Sequence, residues 1–108
     1  MIEDTLHKLE HRLETSDNLT PDNRAALQEL VKELRQEIDT LDDNERAESI
    51  AGFTESSTRE ALRIEQDEDL LDLSLQGLKS STREFEVSHP GLTTVVNAIC
   101  HHLSNLGI

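Results

Sequence analysis

Residues Pro21 to Asp43 read PDNRAALQELVKELRQEIDTLDD, and the spacing of their apolar side chains decides the fold. Leu27, Val31, Leu34, Ile38 and Leu41 recur at alternating intervals of four and three, so all five share one face of an α-helix. Leu30 widens that stripe by one position. Thr20 and Pro21 supply a start: a hydroxyl for the N-cap, then a proline at the first helical position, where the missing N–H costs nothing. A helix over this stretch is roughly 34 Å long at about 1.5 Å per residue.

The same period recurs on both sides. Ile2, Leu6, Leu9 and Leu13 form a shorter stripe that ends in the polar cluster Thr15 to Thr20, which reads as a loop. Leu71, Leu75, Leu78, Thr82 and Phe85 form another, with Asp67 as its N-cap and the acids from Glu65 to Asp69 placed where a helix dipole favours them. Leu71, Leu73 and Leu75 also alternate, as in a strand, but the run on to Phe85 selects helix. After Ser88-His89-Pro90, Leu92, Val96, Ile99, Leu103 and Leu106 repeat the pattern, and Gly107 is a natural stop. A seven-residue repeat in four segments specifies near-parallel helix packing. The expected fold is all-α: helical hairpins packed as an antiparallel bundle with coiled-coil-like heptad stripes.

One domain over residues 1–108 is expected. It divides into an N-terminal helical hairpin (1–43), a weak helix or connector (44–66) and a C-terminal helical hairpin (67–108). The middle is the poorest segment. Ala47, Ile50, Ala61 and Ile64 fit one face, but small residues stand where a strong helix carries leucine, and Gly52 and Ser56-Ser57-Thr58 interrupt the pattern.

Composition narrows the function. The chain carries 10 Lys plus Arg against 23 Asp plus Glu, a formal net charge of −13, with two Phe and no Trp or Tyr in 108 residues. Leu, Ile, Val and Phe make up about a quarter of it, above the roughly 20% below which so charged a chain stays disordered. A polyanion with almost no aromatics is unsuited to nucleic acid, which asks for cations on its phosphates and rings for stacking. The single cysteine excludes an internal disulfide framework. Met1-Ile2-Glu3-Asp4 is acidic where a signal peptide is basic, so a cytoplasmic location is expected. Val87 to Ile108 contain no Asp, Glu, Lys or Arg. This stretch is too short and too polar for a membrane span and reads as the most enclosed helix.

Few residues suggest chemistry. His7 and His11 are four apart and share a helix face, yet a zinc site needs three or four converging ligands. His101 and His102 are adjacent and diverge by about 100° on a helix. Cys100 borders the Val96–Leu103 stripe and reads as a small buried hydrophobe. Phosphate loops, EF-hand loops and nucleophile motifs do not occur in the sequence. No cofactor and no catalysis are expected.

Four stretches together resemble a known family: Ala47-Glu48-Ser49-Ile50-Ala51-Gly52-Phe53, Leu70 to Leu78 (LLDLSLQGL), Phe85-Glu86-Val87-Ser88-His89-Pro90, and the terminal Leu103-Ser104-Asn105-Leu106-Gly107-Ile108. The chain resembles the bacterial domain of unknown function 4404 family. The resemblance implies a short, acidic, helical cytoplasmic protein with no assigned activity, and it singles out Phe85, Glu86, Ser88, His89 and Pro90. Those five fit a structural corner: Phe85 closing one helix, Ser88 or His89 capping the next, Pro90 starting it, and Glu86 facing His89 or the new helix's positive end. They fit a partner-binding surface as well.

The leading expectation is a non-enzymatic helical interaction or oligomerisation module. It is expected to form a homodimer, with room for an unknown protein partner and none for nucleic acid or membrane. The long helix outruns the first, so its far stripe at Leu34, Ile38 and Leu41 is the expected seam between copies. The alternative is a small ligand- or metal-binding regulatory protein using His7 and His11, or His89.

Overall fold

The computed structural model describes residues 2–106. They form five α-helices: α1 (Ile2–Thr15), α2 (Pro21–Ile38), α3 (Asn44–Ala61), α4 (Glu68–Thr82) and α5 (Pro90–Leu106), with a 3-10 turn at Arg83–Phe85. There is no strand among the described residues, and the fold is an all-α bundle. Gly107 lies outside them.

Side chains begin the helices where the local chemistry provides an acceptor. Thr20 Oγ1 accepts from the N–H of Asn23 at 3.1 Å, Asp43 Oδ1 from Arg46 at 3.1 Å, and Asp67 Oδ1 from Asp69 and Leu70 at 3.1 and 3.2 Å. The C-terminus of α1 is closed from a distance. The Arg24 guanidinium donates to the carbonyls of Leu13, Glu14 and Ser16, meeting acceptors a helix end leaves open.

The helix starting at Pro21 ends at Ile38, five residues short of Asp43. Two tight turns, Thr40 N–H to Glu37 O and Leu41 N–H to Ile38 O, fold the chain back, and Asp43 becomes the extended N-cap of α3. Leu41 stays buried because the turn tucks it against the bundle.

The segment 44–66, read from sequence as a weak helix or connector, forms an 18-residue helix over Asn44–Ala61. It packs against α1, α4 and α5. Small side chains are what permit this, since Ala47, Ala51 and Ala61 let three neighbours approach closely. Two of its buried hydroxyls bond within the helix, Thr54 Oγ1 donating to Ile50 O at 2.7 Å and Thr58 Oγ1 to Thr54 O at 2.8 Å, while the buried Ser57 Oγ has no hydrogen-bond partner. Ile64, grouped from sequence with the buried face, stands on the following bend and is 92% exposed.

Helices α4 and α5 pack against each other as the C-terminal hairpin, and further strong pairings cross between the two hairpins. Helix α1 rests mainly on α3, α2 on α5, and α3 on α4, while the α1–α2 contact is the lesser one. Charged clamps fix these pairings at the surface: Arg35 reaches Glu3 at 2.8 Å and Glu10 at 2.5 Å, Arg12 reaches Glu55 at 3.0 Å, and Arg46 reaches Glu84 at 2.7 Å.

This arrangement closes the expected seam. Leu34 and Ile38 are buried within the chain, and so is Leu41. The expectation compared α2 only with the shorter α1, whereas α5 lies along α2 and covers the remainder. The stripe that looked spare is core.

Candidate functional site

The corner singled out by sequence is a helix junction. Phe85 ends the 3-10 turn, half-buried against the core, and its ring meets that of His89 edge to face with centroids 5.6 Å apart. The His89 N–H donates to Phe85 O at 2.8 Å, and the His89 carbonyl accepts from Leu92 at 3.1 Å, opening α5 at Pro90. Ser88 Oγ lies 3.0 Å from His89 Nδ1. Glu86 is exposed, and its carboxylate forms no ion pair with His89. Every contact here turns the chain from one helix into the next.

His7 and His11 are exposed on α1. His11 shares a shallow concavity with Lys8, Arg12 and Thr15, not with His7. His101 Nε2 lies 3.2 Å from Asn105 Nδ2, and its ring meets His102 edge to face. Among the described residues, no three His, Cys, Asp or Glu side chains converge as a metal site would require.

A groove of about 430 Å³ lies between α4 and α5, walled by Asp72, Gln76 and Lys79 on one side and Asn97 and His101 on the other. Cys100 borders it as a buried free thiol. Burial pushes that thiol above its ordinary range, and the Lys79 ammonium pulls it partly back. A thiol held protonated is a poor nucleophile. Sequence reading placed Cys100 in the core correctly but gave no sign of the groove beside it.

The surface feature that sequence reading missed is apolar. Helix α4 carries two stripes: Leu71, Leu75, Leu78 and Thr82 point into the core, while Leu70, Leu73, Gly77 and Ser80 run parallel to them outside. Leu70 is 44% and Leu73 66% exposed. Phe53 of α3 lies across Gly77, continues this surface and is 40% exposed. Its neighbours one turn away on α3 include Ser49 and Ser56, while on α4 the exposed Asp69, one turn before Leu73, and Asp72 beside it place carboxylates along the leucines. Further charges stand at its ends: the Arg46–Glu84 pair at one, and at the other Glu60, whose Oε1 is 3.0 Å from Arg63 Nε in an ion pair without hydrogen-bond geometry.

The fold and its surface define a small acidic helical bundle with Phe53 of α3 and Leu70 and Leu73 of α4 exposed. Residues 2–108 match the family model described as a domain of unknown function (DUF4404), and the chain belongs to that family. No curated protein and no solved structure matches it. No helix among the described residues is long and apolar enough to cross a membrane.

Proposed function

We propose that this chain is a non-enzymatic helical interaction module that works as a homo-oligomer, in the first place a dimer. The observation that carries this reading is the apolar surface outside the core, where α4 spends two leucines and α3 a phenylalanine. A single 108-residue chain with a leucine core interrupted by hydroxyls gains stability from sharing such a surface. The family resemblance supports reading the module as bacterial, and its buried, unpaired cysteine suits the reducing cytoplasm.

Two chains of −13 repel, and salt screens that repulsion beyond about 8–10 Å, so association tightens as salt rises. Sedimentation velocity at tens of micromolar tests this. A dimer that strengthens between low and high salt is expected, and a monomer under both conditions overturns the reading.

A further inference from the structure

We infer that the groove between α4 and α5 binds a small linear zwitterion of dipeptide size, with its carboxylate at the Lys79 end and its ammonium at the Asp72 end. The inference stands apart from self-association and needs no second copy.

The hairpin orders the groove. Helices α4 and α5 pack together across the short connection of residues 83–89, so they run in opposite directions. In that register Lys79 faces Asn97 nearest the connection, Gln76 faces Cys100 in the middle, and Asp72 faces Ser104 at the far end. Leu75 and Cys100 are buried and form the floor, while the polar side chains stand exposed on the walls. Asp72 and Lys79 lie two turns apart on one face of α4, about 10.5 Å along the axis. Helical side chains lean toward the N-terminus, which carries the long Lys79 chain back over the floor. Its ammonium is near enough to Cys100 to draw the thiol partly down. Among the described residues, Asp72 and Lys79 form no ion pair with each other, and the Gln76 and Asn97 carboxamides do not bond across the groove.

This set of groups selects the ligand. An anion alone gains Lys79 but meets Asp72 and the field of a chain at −13. A cation alone gains Asp72 but meets Lys79. A molecule carrying both charges uses both ends. A free amino acid holds its ammonium and carboxylate on one carbon, too close together to reach the two. Two residues at about 3.3–3.6 Å each span about 7 Å, which suits charges set somewhat closer than the helix spacing. The peptide group between them offers one N–H and one C=O, and the Gln76 carboxamide supplies an acceptor and a donor to match. The groove's volume of about 430 Å³ falls within the roughly 300–1,000 Å³ of small-molecule sites.

Titrating the isotope-labelled chain with alanylalanine, followed by amide NMR shifts, tests the site. Saturable shifts are expected at Gln76, Lys79, Asn97 and His101, with a Kd of about 1 mM or tighter. N-acetyl-alanylalanine lacks the ammonium and alanylalanine amide lacks the carboxylate, and each is expected to bind at least about tenfold more weakly. Lys79→Gln should erase the preference for the free carboxylate, and Asp72→Asn the preference for the free ammonium. Both substitutions keep side-chain size at exposed positions, and circular dichroism checks that each variant stays helical. Should either unfold, the comparison of the three ligands on the wild-type chain still decides. The absence of saturable shifts up to about 10 mM overturns the inference. So do equal affinities for all three ligands, or shifts confined to residues outside α4 and α5.

Discussion

Gly77 of α4 lies directly beneath the ring of Phe53 of α3: a Cβ at Gly77 would stand 2.6 Å from Cε1 and 2.9 Å from Cδ1 of that ring. Contacts so short do not persist, so Gly77→Ala moves the ring outward, which its half-exposed position allows. Alanine within a helix contributes about 0.5–1 kcal/mol over glycine, and the displaced ring forfeits packing of similar size. The single substitution should leave stability near wild type. In a Phe53→Ala background the same change should stabilise by the full amount. Denaturant melts of the four-member cycle measure this coupling, and equal effects in both backgrounds would show that ring and Cβ do not compete.

Ile38→Asp tests the burial of the α2 stripe against the exposed leucine of α4. Ile38 is buried in the chain, so aspartate there places an unpaired carboxylate among leucines and removes a packed side chain. The expected loss is about 3 kcal/mol or more. Leu73→Asp, on an exposed position, should cost about 0.5 kcal/mol in a monomer. Urea unfolding at concentrations too low for association compares the two, and similar losses would contradict the burial of Ile38.

Which parts of this molecule were legible in sequence follows from what periodicity records. The stripes through Leu27, Val31, Leu34 and Ile38 and through Leu92, Val96, Ile99 and Leu103 were readable because large apolar residues repeat there, and Thr20 and Asp67 announced their helices by capping chemistry. Helix α3 was under-read because Thr54, Ser57 and Thr58 count as polar, although the two threonines bond back to carbonyls of their own helix and enter the core. Leu34 and Ile38 were misassigned because spacing shows which face of α2 is apolar but not that α5 lies over it. The inward stripe of α4 is legible as Leu71, Leu75, Leu78 and Thr82, but spacing along α4 does not show that Leu70 and Leu73 stay uncovered, because that depends on which helices pack beside it.

At the corner, the ring contact between Phe85 and His89 predicts a measurable coupling. Phe85 is half-buried, so Phe85→Ala should fall below the usual 3–5 kcal/mol for a fully buried aromatic, at about 1–3 kcal/mol. His89→Ala should cost less, since its backbone bonds to Phe85 and Leu92 survive the change. An edge-to-face pair contributes about 0.5–1.5 kcal/mol beyond area, which the double-mutant cycle should return. A larger loss for His89→Ala than for Phe85→Ala would point to a role for the imidazole beyond the turn.

Cys100 gives the chain a dependence on alkaline pH. Burial raises the folded thiol, Lys79 offsets part of that rise, and the thiol of the unfolded chain titrates near its ordinary value of about 8.5. Between those two values the unfolded state has released a proton that the folded state retains, so raising pH favours unfolding. The thiol's contribution is complete below the unfolded value and is lost as pH rises through the folded one. The chain has no tyrosine, which leaves this window free of phenol titration. Stability measured in urea should therefore fall as pH rises above the unfolded thiol's value of about 8.5, and the fall should be shallower in Cys100→Ala. Lys79→Gln removes the charge that opposes the rise and should extend the decline to higher pH. A wild-type slope no steeper than that of Cys100→Ala would show that the folded thiol releases its proton as readily as the unfolded one.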